Sequence, residues 1–197
     1  TFPASDISLL AELGVTDVGE NRDQEGRAKR SGVRSEELRW HMIGRLQRNK
    51  VSSVARWADI VESIDRHELI APLAGAVERF DRKPVQVLLQ VSLDPMPDPG
   101  RSGIDPNDVE SLAEAVAGHE ALHLAGVMAV APHPDTGVNP RAAFDRLYEI
   151  SALVRASWPN AREISAGMSS DLEAGVAAGA TQVRIGGAIL GERPPVQ

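Results

Sequence analysis

The sequence predicts an α/β fold of the TIM type, a (β/α)8 barrel, and three observations support this prediction. Short apolar runs alternate with stretches of helical spacing along the chain. Polar and glycine-rich residues follow most of the apolar runs, and no Gly-x-Gly-x-x-Gly pattern follows the early ones. The alternation alone fits a doubly wound open sheet or a barrel. The polar strand ends and the missing dinucleotide pattern favour the barrel.

The strand prediction comes from runs rich in apolar and β-branched residues. Nearly continuous apolar runs are typical of parallel strands that are covered by helices on the outside. The predicted strands are Asp17–Asn21, Trp40–Gly44, Ile60–Asp65, Val85–Leu93, Leu122–Val130, Arg162–Gly167 and Gln182–Gly187. A barrel of this type has eight strands, so we expect the remaining strand immediately before Thr1.

Helices are predicted where apolar residues recur at helical spacing between a start signal and a glycine or proline. These segments are Ser5–Leu13, Pro106–Ala117, Pro140–Ala156 and Ser170–Ala178. Ser170 followed by Glu173 fits a capping box. Because no linker divides the chain, residues 1–197 are predicted to form one domain that lacks its first strand and N-terminal helix.

The composition excludes several classes of protein. The chain has 197 residues, a formal net charge of -7 and no cysteine. Disulfides, thiolate metal sites and cysteine nucleophiles are therefore excluded. The negative charge argues against nucleic acid as a partner. No apolar run is long enough to span a membrane and no signal peptide is recognisable, so we expect a cytoplasmic protein.

The densest polar segment, Glu163–Glu173, runs from a predicted strand through small residues into a predicted helix. Backbone N–H groups at the helix start, with the hydroxyls of Ser165 and Ser169, would converge on an anion. The next predicted strand ends in Gly186 and Gly187, and in a barrel the two loops are neighbours. The pattern predicts a phosphate site, and ordinary strand-to-helix turns are the alternative.

Seven collinear segments resemble the pyridoxal phosphate homeostasis protein family, whose fold is similar to the N-terminal barrel of alanine racemase. They are GENRDQE (Gly19–Glu25), WHMIGRLQRNK (Trp40–Lys50), SID (Ser63–Asp65), RSG (Arg101–Gly103), GVMAVAP (Gly126–Pro132), SAGMSSDLEAGVAAG (Ser165–Gly179) and VRIGGAILGERP (Val183–Pro194). Because these segments occur in the family's order over nearly the whole chain, the resemblance is specific. Two positions differ from the family's usual residues, since Ala166 stands in place of methionine and Arg101 in place of lysine.

The resemblance implies a barrel that holds pyridoxal 5′-phosphate as a Schiff base with a lysine at the end of its first strand. In the family a segment like Thr1-Phe2-Pro3 follows that lysine, so we expect it immediately before Thr1. Lys29 and Lys50 fall in polar helical stretches, and Lys83 enters a strand at the opposite rim. None of these three lysines is therefore expected to replace it.

The resemblance also implies which residues contact the cofactor. The phosphate would be held by Ser165, Gly167, Met168 and Ser169, with Gly186 and Gly187 opposite, and the ring would lie near Arg184, Asn21, His41 and Met128. An arginine beside the pyridine nitrogen keeps that nitrogen unprotonated, because a guanidinium donates and does not readily lose its proton. Without the resemblance, we would expect Asn21 to cap a turn and His41 to be a hydrogen-bonded histidine in the core.

Two other patterns do not predict function. His119-Glu-Ala-Leu-His123 matches a zinc protease motif, but Gly118 ends the preceding helix and His123 lies in a predicted strand. No metal is therefore expected there. The basic cluster of Arg45, Arg48 and Lys50 is typical of a solvated helix face.

Three functions remain open. The first is a non-catalytic, monomeric carrier of pyridoxal phosphate that delivers it to apo-enzymes, and this is the function we expect. The second is a small racemase or decarboxylase that uses the same cofactor. Two-base racemisation needs a second acid or base, and the single tyrosine, Tyr148, lies in a stripe predicted to pack outside the barrel. The third, a phosphate-sugar enzyme, lacks recognisable strand-end carboxylates.

Overall fold

The structure is a computed structural model and describes residues 2–35 and 37–191. Its strands are β1 (Asp17–Glu20), β2 (Arg39–Met42), β3 (Ile60–Ile64), β4 (Val85–Gln90), β5 (Leu122–Met128) and β6 (Glu163–Ser165). Its α-helices are α1 (Ala4–Glu12), α2 (Asp23–Gly32), α3 (Val51–Trp57), α4 (Ile70–Arg79), α5 (Val109–Ala117), α6 (Pro140–Ser157), α7 (Leu172–Ala177) and α8 (Gly187–Leu190). Short 3-10 turns cover Arg48–Lys50, His67–Leu69, Pro106–Asp108 and Pro134–Thr136. The predicted β-α alternation is confirmed.

The strands form one parallel sheet in sequential order from β1 to β6. A doubly wound sheet would reverse its order at a switch point, whereas a barrel keeps the order of the chain. Side chains of distant strands also meet, since Ser165 Oγ on β6 donates to Glu62 Oε2 on β3 at 2.6 Å. Because two other strands separate β6 from β3 in the sheet order, this contact requires a curled sheet. The described strands therefore form a barrel wall.

Apolar side chains pack on both faces of this wall. The outer face of β4, including Val87 and Leu89, belongs to a large core shared with the helices. The inner face carries a smaller cluster of Ile60, Leu88, Ala125 and Met128, against which Val130 packs. Alternation along β4 therefore places successive residues in different cores, as expected for a strand buried on both faces.

The predicted seventh strand, Gln182–Gly187, is wrong in its extent. Gln182 forms an isolated parallel bridge with Ser165, and Arg184 N–H donates to the Gly167 carbonyl at 2.9 Å. β6 is only three residues long, and Gly167 then turns with φ +92°. Because its neighbour turns away, the segment from Gln182 stays extended beside β6 but forms no regular ladder. Helix α8 begins at Gly187.

Helix α6 illustrates how local sequence sets the boundaries of an element. Asn139 Oδ1 accepts the Arg141 N–H at 2.8 Å, and Pro140 occupies the first helical position. The first backbone N–H groups of a helix have no partner within it. The Asn139 side chain accepts from one of them, and Pro140 has no N–H group that would need a partner. Across residues 2–35 and 37–191, no helix combines the length and the apolar character needed to cross a membrane.

Candidate functional site

Three strand ends line up at the carboxyl edge of the sheet. Gln90 pairs in register with Met128, and Met128 with Ser165. Met128 is buried at 1% exposure and belongs to the inner cluster. Gln90 Nε2 donates to the Ser102 carbonyl at 3.1 Å, but its buried Oε1 has no hydrogen-bond partner within the described residues. This edge therefore offers an apolar surface and an unused acceptor.

Two loops meet beside this edge, residues 166–170 after β6 and residues 184–187, which lead into the first residue of α8. The hydrogen bond from Arg184 N–H to the Gly167 carbonyl joins them. The backbone N–H groups of Gly167, Ser169, Gly186 and Gly187 donate to no other described residue. A Cβ atom at Gly186 or Gly187 would meet no other described residue within 4 Å, so the space on the side-chain side of these glycines is open. The loops can therefore bind an anion through backbone donors.

The capping box predicted from Ser170 and Glu173 is wrong. Helix α7 begins at Leu172, and its N-cap residue is Asp171. The Asp171 carboxylate reaches backward and accepts the Met168 N–H at 2.6 Å. Because a carboxylate accepts more strongly than a hydroxyl, Asp171 holds the turn of the loop instead of Ser170. The Met168 N–H is consequently engaged within the protein.

Arg184 and Ser165, both predicted site residues, are bonded to each other inside the barrel. Arg184 Nη1 donates to Ser165 Oγ at 2.7 Å, and Nη2 donates to the Ala129 carbonyl at 2.8 Å. Ser165 is fully buried, and its hydroxyl donates a hydrogen bond to Glu62. Burial lowers the pKa of Arg184, but a guanidinium remains charged in proteins. The guanidinium is therefore fixed at two points beside the strand ends.

His41 lies between two carboxylates in the barrel interior. Its Nδ1 is 2.6 Å from Glu62 Oε1, and its Nε2 is 2.8 Å from Asp17 Oδ1. Ionised carboxylates only accept hydrogen bonds, so both ring nitrogens must carry protons. His41 is therefore an imidazolium, and Arg39 completes the row with an ion pair to Asp17 at 2.8 Å.

The pKa values of this row shift in the direction that keeps all three groups charged. Burial opposes ionisation of Glu62, but bonds from His41 and Ser165 and the charge of Arg184 outweigh it and lower the pKa. Burial likewise opposes charge on His41, but Glu62 and Asp17 raise its pKa. The pKa of Asp17 is lowered by Arg39 and His41, against the effect of its burial. A charged network therefore crosses the barrel interior.

The structure unites some of the predicted site residues and leaves others apart. Ser165, Gly167 and Arg184 are joined directly, and Met128 is next to Ser165 in register. His41 is connected to Ser165 and Arg184 through Glu62. The side chains of Asn21 and Ser169 are exposed and hydrogen-bond to none of the other described residues. Their roles toward a ligand stay predictions.

Sequence reasoning missed Glu62, Asp17 and Gln182. Gln182 Nε2 donates to Glu62 Oε1 at 2.7 Å, which gives that buried carboxylate a third donor. One signal was available, because Glu62 interrupts the apolar run Ile60–Ile64 at the parity that faces inward with Ile60. A charged residue in a strand that is buried on both faces needs partners, although the sequence does not say which.

The lysines lie away from these loops. Lys29 on α2 forms an ion pair with Glu20 at 2.5 Å. Lys83 lines a cleft of about 350 Å³ at the amino ends of the strands, the rim opposite the loops, as predicted. Arg82 in that cleft is engaged by Asp59 at 2.7 Å and by two backbone carbonyls. This cleft is therefore lined in part by side chains that are already paired within the protein.

Two further sequence interpretations can be compared with the structure. His119 follows the end of α5 and His123 is exposed on β5, so the two imidazoles do not share a helical face.

Arg101 Nε donates to Asp94 Oδ2 at 2.7 Å and Nη2 to the Ala131 carbonyl at 2.7 Å. Arg101 therefore ties the loop after β4 to the loop after β5.

The fold agrees with that of known proteins. Residues 4–194 match the family described as alanine racemase, N-terminal domain. The alanine racemase of Clostridium difficile is 14% identical and superposes with a TM-score of 0.72, covering 98% of this chain and 49% of that one. At that identity the likeness concerns the fold alone, which is the alanine racemase N-terminal barrel.

Closer relatives define the family more narrowly. The pyridoxal phosphate homeostasis protein of Mycobacterium bovis is 40% identical over 210 aligned residues, which cover 98% of this chain and 80% of that protein. The structure of PipY from Synechococcus elongatus with PLP bound is 29% identical with a TM-score of 0.82, covering 94% of this chain and 86% of PipY. The chain belongs to the alanine racemase N-terminal domain family and, within it, to the pyridoxal phosphate homeostasis proteins.

The site residues fit pyridoxal phosphate on the chain's own geometry. The N–H groups of the two loops that have no partner in the described part of the chain suit a phosphate, and buried Met128 suits an apolar ring face. Arg184 places a fixed donor between the loops and the strand ends. The orphaned Gln90 Oε1 adds an acceptor at the same edge.

Proposed function

We propose that this chain binds pyridoxal 5′-phosphate at the carboxyl edge of its sheet and holds it without catalysis, as part of intracellular cofactor homeostasis. The observation that carries the proposal is the pair of joined loops, next to a guanidinium, with four backbone N–H groups that donate to no other described residue. Two relatives support the choice of ligand: the 40% identical protein of Mycobacterium bovis is named a pyridoxal phosphate homeostasis protein, and PipY has PLP bound. When bound, the cofactor supplies an aldehyde that reacts with amines.

The residues of this chain would divide the binding between them. The backbone of Gly167, Ser169, Gly186 and Gly187 and the Ser169 hydroxyl would hold the phosphate, with Met168 shaping the loop through Asp171. Arg184 would donate to the pyridine nitrogen. Met128 would contact the ring face, and Asn21 and His41 would border it. Ser165 contributes by fixing Arg184, because its hydroxyl is already bonded within the protein.

The proposal of a carrier without catalysis rests on the state of the titratable side chains. Proton transfer to and from a substrate requires a group that is free to exchange its proton at the reacting atom. His41 and Glu62 are instead locked to each other at 2.6 Å. Tyr148 is exposed on the outer surface of α6, where Arg155 lies over its ring. On this proposal a monomer passes its cofactor to apo-enzymes that depend on it.

Equilibrium dialysis of the chain with pyridoxal phosphate tests the binding proposal. Arg184→Ala should weaken affinity by about 1.5–3 kcal/mol, and Ser169→Ala by about 0.5–1.5 kcal/mol, the ranges for charged and neutral hydrogen bonds. Arg146→Ala and Ser157→Ala, both on exposed positions of α6, are the matched controls and should bind normally. Unchanged affinity in both site variants would refute the site.

A turnover measurement tests the absence of catalysis. The cofactor-loaded protein should neither racemise nor decarboxylate amino acids, and it should transfer cofactor to an apo-enzyme across a dialysis membrane. The fold that it shares with alanine racemase makes a racemase the second candidate. Sustained turnover at about 1 s⁻¹ or faster, the ordinary enzymatic range, would favour that candidate.

A further inference from the structure

Glu62 is a fully buried carboxylate, and two of its three hydrogen-bond partners, His41 and Ser165, are residues of the proposed site. It accepts from His41 and Gln182 through Oε1 and from Ser165 through Oε2. A buried charge of this kind is costly unless it is paired and hydrogen-bonded. Its position therefore needs a physical reason beyond packing.

The direction of the hydrogen bonds supplies that reason. A guanidinium can only donate hydrogen bonds, so Ser165 Oγ must accept from Arg184 Nη1, and its own hydroxyl hydrogen must point to a different acceptor. That acceptor is Glu62 Oε2, at 2.6 Å. The carboxylate thus orients the hydroxyl, and the oriented hydroxyl holds one arm of the guanidinium.

We propose that Glu62, balanced by the positive charge of His41, is a positioning residue that fixes Arg184 for ligand binding. This inference rests on the proposed function, because Arg184 is the group expected to contact the cofactor ring. Glu62 itself does not bond to Arg184 and acts on it through Ser165. Nothing in the main outer core requires its charge, since its bonds all run inside the barrel.

The charges around His41 determine how this device responds to pH. His41 faces Asp17 from β1 and Glu62 from β3, and Arg39 on its own strand pairs with Asp17. The negative charges of Glu62 and Asp171 both act on the guanidinium of Arg184. When His41 loses a proton, Glu62 or Asp17 loses a donor and the positive charge that balances Glu62 is lost, so Glu62 is held less firmly beside Ser165. Affinity should fall at high pH.

The central test compares cofactor affinity in four proteins by equilibrium dialysis. Glu62→Gln keeps the shape of the side chain and removes its charge, and it should bind roughly tenfold more weakly, the equivalent of about 1.4 kcal/mol. Glu149→Gln, at an exposed position of α6, removes the same charge elsewhere and should bind as the unchanged chain does. Arg184→Lys should lose at least as much affinity as Glu62→Gln.

A positioning role also predicts results that a purely structural role does not. The NMR titration midpoint of His41 should move to lower pH in Glu62→Gln, and the high-pH decline in affinity should move with it. Ser165→Ala removes the residue through which Glu62 acts on Arg184. The double variant Glu62→Gln/Ser165→Ala should therefore bind no more weakly than whichever single variant has the lower affinity.

These outcomes separate the inference from the proposed function. If the unchanged chain does not bind the cofactor, the proposed function fails. If the unchanged chain binds and Glu62→Gln binds equally well, the positioning role is refuted while the function stands. The same holds if the fold-loss of affinity in the double variant equals the product of the losses in Glu62→Gln and Ser165→Ala. If Glu62→Gln does not fold, Ser165→Ala decides, and unchanged affinity in that variant refutes the role.

Discussion

His41 carries a proton on each ring nitrogen because each nitrogen faces a carboxylate oxygen. Its raised pKa means that it stabilises the fold fully below its ordinary pKa of 6.5 and progressively less as the pH rises through the raised value. Glu62, with a lowered pKa, contributes fully above its ordinary value of 4.5 and loses that contribution as the pH falls through the lowered value.

At the residue scale, we therefore predict that the network stabilises the fold most fully between pH 4.5 and 6.5. Urea unfolding across pH should show the free energy of unfolding decline on both sides of this window. His41→Gln should flatten the alkaline decline, because the group that loses its proton is gone. His133→Gln, at an exposed histidine, is the control and should leave the profile unchanged. An alkaline limb that survives His41→Gln would contradict the assignment.

The pairing of β5 with β6 depends on close backbone approach at Gly126. A Cβ atom there would lie 1.9 Å from the Glu163 carbonyl oxygen, so any side chain would force the two strands apart. The register of β4 with β5 shifts between Val87 and Leu88, the latter pairing with Gly126. The glycine thus allows the irregularity that brings Met128 and Ser165 level at the carboxyl edge.

At the element scale, we predict that Gly126→Ala lowers the free energy of unfolding by about 2 kcal/mol or more, through strain and a displaced strand. Urea unfolding measures this. Gly75→Ala on α4, where an added Cβ meets nothing within 4 Å, should instead raise stability by about 0.5 to 1 kcal/mol. Equal effects of the two substitutions would show that the close approach to Glu163 has no energetic consequence.

The whole molecule is stabilised chiefly by the outer core between the sheet and the helices. Leu112 on α5 is fully buried in it, whereas Leu153 on α6 is 73% exposed. Leu112→Ala should therefore cost about 2–5 kcal/mol of unfolding free energy, from lost burial and the cavity left behind. Leu153→Ala should change it by no more than about 0.5 kcal/mol. Similar losses in both variants would contradict this division of the core.

The predicted and observed elements agree where local pattern was decisive. The run at Val85–Leu93 and the structural strand Val85–Gln90 agree, and so do the predicted helix Pro140–Ala156 and the observed Pro140–Ser157. The strand predicted at Gln182–Gly187 does not form, because a strand needs a neighbouring strand along its whole length and β6 ends at Ser165. The capping box failed because Asp171, next to the expected Ser170, is the stronger acceptor.

The sequence by itself determined the alternation of strands and helices, the parallel sheet and the loops that follow Ser165 and Arg184. Those features follow from spacing and residue type within short segments, which are local properties. Only the tertiary structure decided that Asp17, His41, Glu62, Ser165 and Arg184 form one charged network. The directly bonded Glu62 and Ser165 are 103 positions apart in the chain, and only the curvature of the sheet brings them within 2.6 Å.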